Sequence, residues 1–203
     1  MRIFFLLILI LTPIKGWACD PIAEVYGKSI CRESLENDSL ASFESALLKF
    51  SFFQKFGEGA NEPTDKEKEK LILSGIKQCK DIYHEMKDDF IKYGIETTQE
   101  QYYANCDKAF QSDDNPSINM FKHWKYNKVL HDHYGGKVAF QQAGLEPHDA
   151  YKKFMRDIET EGELKILDSK YTPPFNNMKS YLNKSFTYAP VEDYFKEYPL
   201  LEK

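Results

Sequence analysis

Three of the chain's five histidines, His123, His131 and His133, fall in one stretch of sequence, HWKYNKVLHDHY. Imidazoles on a helix converge on one metal ion only when they stand one turn apart, at i and i+3 or i+4. Here the steps are two, eight and ten. At about 100° per residue, His131 and His133 point to nearly opposite sides. The spacing argues against a metal centre, and no cofactor is expected. His131 alone shares the phase of Met120 and Trp124, which predicts that it is partly buried. Immediately downstream runs YGGKVAFQQAGLEPHDAYKKF, with the pair Gln141 and Gln142 in a glycine-rich connection. Side-chain amides in such a loop can bind a peptide backbone or a substrate amide. His131, His133, Tyr134, Gln141 and Gln142 are therefore the candidate binding group, provided the fold gathers them around one pocket. The plainer reading is a helix stop, a turn and a helix start whose amides satisfy backbone groups.

Other chemistry finds no constellation. Nucleophilic catalysis needs Ser or Cys beside a His with an orienting acid, and neither a GxSxG elbow nor a catalytic-cysteine signature occurs. Adjacent carboxylates such as Asp88-Asp89 and Asp113-Asp114 diverge and do not face one cleft, as glycosidic chemistry would require. Phosphate-cradling glycine motifs are absent from the sequence. No catalytic residue is assigned.

The elements that must position these residues read as mainly helical. Leu40, Phe43, Leu47, Phe50 and Phe53 mark an apolar face between Ser39 and Phe56, with Gly57 as its stop. A long second helix opens at Thr64-Asp65-Lys66-Glu67, a capping box. Its stripe of Leu71, Ile72, Ile76, Cys79, Ile82, Tyr83, Met86 and Phe90 is expected to face inward, and Gly94 ends it. A third helix runs from Thr97 or Thr98 to about Gln111. A fourth opens at Asn115-Pro116 and stops at Gly135-Gly136. A fifth begins at Pro147, buries Ala150, Tyr151, Phe154, Met155 and Ile158, and stops at Gly162. At the start, Ile22 to Ile30 alternates around Gly27 as a short strand with a turn, and Leu164 to Leu167 is a late strand that can pair with Ala23 to Tyr26. The expected fold is a multi-helix orthogonal bundle with a small two-stranded β element. A short helix near Asn176 to Leu182 is allowed, and from Thr187 the chain is aromatic and acidic without periodicity, either a strap on the body or a trailing extension.

Four cysteines, Cys19, Cys31, Cys79 and Cys106, allow three pairings. Helical phase points Cys79 and Cys106 inward on successive antiparallel helices, so they pair, and Cys19 with Cys31 staples the amino-terminal segment.

An even cysteine set fits an oxidising compartment, and the first eighteen residues fit one too. Met1-Arg2, the apolar run Ile3 to Leu11, and Gly16-Trp17-Ala18 follow the plan of a secretory signal cut after Ala18. A lipid anchor on Cys19 is disfavoured: Gly16 stands where such signals carry Leu, and lipidation would leave three cysteines. The expected organisation is a signal over 1–18, a helical domain over 19–170 and an extension over 171–203, in a periplasmic or secreted protein. Beyond residue 18 the chain has 25 basic against 32 acidic side chains, a net charge of −7. Such a surface is a poor match for nucleic acid or anionic lipid, and no apolar run approaches the ~18 residues that a membrane span needs.

The segment AEVYGKSICRESL, with Ala23, Val25, Gly27, Ile30 and Leu35 at the matching positions, resembles the opening of SurA-like and PrsA-like parvulin-type periplasmic foldases. Tyr26 replaces the usual Asn. The resemblance covers residues 22–56 and implies an all-helical chaperone domain closed by a late strand. The separate parvulin module that carries the family's isomerase activity is not found in the sequence, so no catalytic residue transfers. What the resemblance implies is a chaperone-like binder of unfolded or extended polypeptide, acting through aromatic and Met-lined surfaces such as a cradle of Phe43, Phe50 and Phe53 or of the tail aromatics. The rival expectation is a small secreted enzyme or ligand-binding protein with its site around Tyr134 to Gln142.

Overall fold

The computed structural model describes residues 19–141, 144–173, 175–176, 188–189, 195–196, 198 and 201. The predicted signal, Gln142 and most of the predicted helix near Asn176 to Leu182 lie outside them.

The chain enters as a hairpin, β1 (Pro21–Val25) and β2 (Lys28–Cys31). Tyr26 and Gly27 both take positive φ, 52° and 69°, the two-residue turn whose twist matches paired strands. A late strand, β5 (Lys165–Ile166), adds to the other edge of β1, with Ala23 opposite Ile166. This is the pairing the sequence predicts. Ile22, Ala23 and Val25 are fully buried beneath the helices. Cys19 and Cys31 are bonded, their Cα atoms 5.3 Å apart.

Each of the first four described α-helices starts where a side chain satisfies its free amides. Ser39 Oγ accepts from Ser42 N at 3.1 Å to open α1 (Leu40–Phe56). Thr64 and Glu67 form a complete capping box before α2 (Asp65–Lys92), and Thr98 with Gln101 does the same for α3 (Gln99–Phe110). Asn115 Oδ1 accepts from Ile118 N at 3.1 Å, and Pro116 begins α4 (Pro116–Tyr134). The fifth helix, α5, spans His148–Thr160. Such caps are each worth about 1 kcal/mol and fix helix boundaries independently of packing.

The main core gathers Phe43, Leu47 and Phe52 of α1, Leu130 of α4, Phe154 and Ile158 of α5, the β1 residues, and Tyr171. The buried face of α1 is thus rotated from the expected one: Phe52 is buried, Phe50 and Phe53 are half-buried, and Leu40 is exposed. The crowded phenylalanines at 50, 52 and 53 leave the phase ambiguous, and contact with Tyr126 of α4, 4.2 Å between ring centroids, selects Phe52. A second cluster joins Leu71, Phe121, Trp124 and Val138 to Phe195 and Tyr198 of the tail. The described tail residues therefore pack as a strap.

Two further expectations change. The glycine-rich connection after α4 contains a hairpin, β3 (Val138–Gln141) and β4 (Gly144–Glu146), and β6 (Tyr188–Ala189) pairs with β3 to complete a second small sheet. Strands of two to four residues carry too few alternations to register as period two, and β6 arrives from far along the chain. The inward stripe of α2 also ends early: Leu71 and Tyr83 are buried, whereas Ile82 and Met86 are 39% and 41% exposed. At Gly75 the helix passes so close to α3 and α4 that a Cβ would run into the Phe110 ring and the Ser117 hydroxyl. Beyond that crossing, among residues 80–105, only Tyr83 is buried.

Candidate functional site

The described members of the group singled out from the end of α4 onward go to different places. The His131 ring stacks on Phe195, 4.9 Å between centroids, at the second cluster. His133 is exposed and meets Phe56 and Tyr134 edge-on, at 5.2 and 4.6 Å. A separation of two residues on a helix forces this divergence. Gln141 lies on β3 with its backbone opposite Gly144, and Gln142 lies outside the described residues. The structure brings His133 and Tyr134 together and leaves His131 with the tail.

Tyr134 belongs to a charged cluster that ties three helices. Its hydroxyl donates to Asp157 Oδ2 at 2.5 Å, and Lys55 Nζ reaches the same carboxylate at 2.6 Å and Glu161 at 2.8 Å. Burial pushes the Asp157 carboxyl up, but the hydrogen bonds from Lys55 and Tyr134 outweigh it and hold it below its ordinary value. Burial and the Asp157 hydrogen bond raise the Tyr134 phenol, so it stays neutral. Each group has its partner here, and the arrangement serves to join α1 to α4 and α5. A second network does the same for the amino terminus: Arg32 reaches Asp20, Asp38 and Asp168 at 2.8, 3.1 and 2.6 Å, and Tyr171 and Lys170 also bond Asp38. Neither network presents an open nucleophile or an acid-base pair facing a cleft. Among the described residues no group of three or more His, Cys, Asp or Glu side chains is placed to hold a metal ion, and no helix is long and apolar enough to cross a membrane.

The surface that stands apart is the hairpin of α2 and α3. Cys79 and Cys106 are bonded across it, Cα atoms 5.9 Å apart, as helical phase predicts. From Cys79 to Lys92, α2 extends another ~20 Å at about 1.5 Å per residue. This arm is closed inside by Tyr83, Phe90 and Tyr102, whose ring centroids are 5.1 to 5.9 Å apart, and laterally by Lys80 on Asp107 at 2.7 Å. Its outer surface carries Ile82, Met86 and Tyr93, which share one face of α2 within about 40°. Around the tip, Ile91, Tyr93 and Ile95 are 71%, 69% and 51% exposed. Interspersed are Asp81, Glu85, Asp88, Asp89, Glu96 and Glu100 against Lys80, Lys87 and Lys92, a net charge of −3 over residues 80–105. Isolated exposed apolar side chains are ordinary but clusters are not, which makes this end the candidate site.

Of these residues, the sequence pattern places Ile82 and Met86 on a buried stripe, and the structure exposes both. The available signal was length: a 28-residue helix is longer than any helix beside it can cover. The two disulfides indicate an oxidising, extracytoplasmic environment. Comparison with known proteins finds no matching family model, no matching curated protein and no matching solved structure.

Proposed function

We propose that the chain is an exported, chaperone-like protein that binds unfolded or extended polypeptide without an isomerase domain, and that it does so on the tip of the stapled arm. The observation that carries this reading is the exposed apolar face of Ile82, Met86 and Tyr93, continued by Ile91 and Ile95, within an acidic surround. Apolar burial has no directional requirement, so such a face accepts varied partners, and the flexible Met86 adapts to their shapes. The acidic surround selects among them: segments that mix Lys or Arg with apolar residues are favoured over acidic ones. The disulfide keeps the two helices paired while the tip works outside the body. The signal-like residues 1–18 and the oxidised cysteines support export.

The test uses the oxidised chain from Cys19 to Lys203. Aggregation of a reduced, basic client protein should be suppressed at near-stoichiometric amounts, and suppression should weaken with added salt. The triple variant Ile82→Ser, Met86→Ser, Tyr93→Ser should lose it while retaining the thermal midpoint. Absence of suppression by the unmodified chain, or full suppression by the triple variant, overturns the assignment.

A further inference from the structure

A cleft of about 450 Å³ runs between α1, α4 and α5, well away from the arm. Pockets of this size hold a side chain or a small ligand. One wall is a continuous aromatic row. Phe53 lies 5.8 Å from Phe52, Phe52 lies 4.2 Å from Tyr126, and Tyr126 lies 6.1 Å from Tyr151, all between ring centroids. Tyr151 is already committed: its hydroxyl donates to Asn127 Oδ1 at 2.9 Å, and Asn127 Nδ2 donates to His123 Nε2 at 3.3 Å. That chain fixes the polar edge of the wall and leaves His123 Nε2 engaged.

Among the remaining polar groups of the lining, the Glu44 carboxylate and Asn61 Oδ1 accept, the Ser45 and Tyr126 hydroxyls accept or donate, and Lys49 donates. Asn61 donates through Nδ2 to the Lys122 carbonyl at 3.4 Å, while its Oδ1 is buried with no hydrogen-bond partner among the described residues, as is the Tyr126 hydroxyl. Glu44 is half-buried, and burial raises its carboxyl above the ordinary value. A buried polar atom left unpaired is costly, so a ligand that pairs it is favoured over one that does not.

The chemistry of the occupant follows by elimination. An anion would meet the Glu44 carboxylate. A purely apolar group would satisfy the aromatic wall and leave the acceptors bare. An ammonium is a compact, strongly hydrated charge with no flat face. A guanidinium is planar, weakly hydrated, stacks on aromatic rings and presents five N–H donors in a fixed fork. We propose that this cleft is a binding site for a guanidinium group, laid on the aromatic row and hydrogen-bonded by Glu44 and Asn61. Lys49, exposed on the same face of α1, is the one lysine of the lining, and its charge opposes the ligand from the rim. The group is carried either by an arginine side chain of a polypeptide or by a free guanidino compound. The site does not depend on the arm.

Calorimetric titration of the oxidised chain with N-acetyl-arginine amide, its neutral isostere N-acetyl-citrulline amide, and methylguanidinium tests this. Both guanidinium probes should bind saturably, and the citrulline compound about tenfold or more weaker, the loss of a charge-assisted hydrogen-bond pair. Glu44→Gln should weaken binding by a similar factor without moving the thermal midpoint, and Lys49→Gln should strengthen it. N-acetyl-arginine amide binding tighter than methylguanidinium assigns the site to polypeptide, and equal affinity assigns it to a free guanidino compound. The arm triple variant should bind both probes unchanged, so failure of the arm reading is separable. No saturable binding of either guanidinium probe, equal binding of the citrulline compound, or an unaffected Glu44→Gln variant would overturn the proposal.

Discussion

The body and the arm of this protein use apolar residues in opposite ways. In the body, Phe43, Leu47, Phe52, Phe154 and Tyr171 are fully excluded from water, and charged networks bridge positions more than a hundred residues apart, as Lys55 does with Asp157. In the arm beyond Cys79 and Cys106, one buried tyrosine and a disulfide suffice, and five large apolar side chains face outward. The body's stability is collective. The arm's is local and covalent, which releases its apolar face from any duty in folding. A face that folding does not require is available for binding, and the difference between the regions should be visible in how each responds to damage.

The largest effect is expected in the body. Phe154 is fully buried and lies 6.2 and 6.3 Å from the Phe56 and Tyr134 rings. Phe154→Ala should cost about 3 to 5 kcal/mol of unfolding free energy, the usual range for such a cavity, measured by urea denaturation. Next comes the staple. Cys79 and Cys106 are 27 residues apart, and opening a loop of that size costs about 3 to 4 kcal/mol in the chain-entropy picture. In a Cys79→Ser, Cys106→Ser variant, amide exchange should accelerate through residues 80–105 while strands and helices of the body keep their protection. Equal loss in both regions would show that they fold as one unit.

What the sequence allowed one to read follows the same divide. Helix starts were legible because Ser39, Thr64, Thr98 and Asn115 cap through their own side chains, a local act. The cysteine pairing was legible because phase places Cys79 and Cys106 on facing sides of neighbouring helices. The pairing of Ala23 with Ile166 was legible because Leu164 to Leu167 is a short apolar run past the fifth helix, suited to the amino-terminal strand. Periodicity, however, reports which residues share a face and not whether anything covers it, so Ile82 and Met86 read as core. The second sheet was illegible because Val138 and Ala139 find Tyr188 and Ala189 only through the tertiary fold. The cleft was illegible for a related reason: Glu44, Asn61, Tyr126 and Tyr151 come from four separate segments, none of which carries a motif. The residues that did look chemical, His131 and His133, stand two apart in sequence and therefore on nearly opposite sides of the helix.

Acid should act on the body before anything covalent fails. Hydrogen bonds from Lys170 and Tyr171 hold the Asp38 carboxyl down from 3.8 to about 2, and hydrogen bonds from Arg32 and the Lys170 backbone lower Asp168. Asp157 is also lowered, through Lys55 and Tyr134 against the opposing effect of burial. A carboxyl whose folded value is depressed adds stability above its unfolded value and loses it as pH falls through the folded one. The urea midpoint should therefore be flat above about pH 5, where unfolded carboxylates are already ionised, and fall between about pH 4 and 2. Asp38→Asn should shrink that fall. Asp38 is exposed and Asp157 and Asp168 are half-buried, so the effect should be smaller than that of Phe154→Ala.

The smallest stability change is expected where the binding change is largest. Ile82→Ser and Ile91→Ser remove apolar side chains that are 39% and 71% exposed, and exposed substitutions of this kind shift stability by about 0.5 kcal/mol or less. Ile82→Ser should nevertheless reduce capture of a basic, apolar peptide, because the area it would bury lies in the complex and not in the fold. The comparison with Leu47→Ser sharpens the point: that residue is fully buried, and its loss should cost several times more stability, about 2 kcal/mol or above. A cost of that size at Ile82 would mean that the arm's face is already covered in the resting protein, and a concentration-dependent unfolding midpoint would identify a second copy of the chain as the cover.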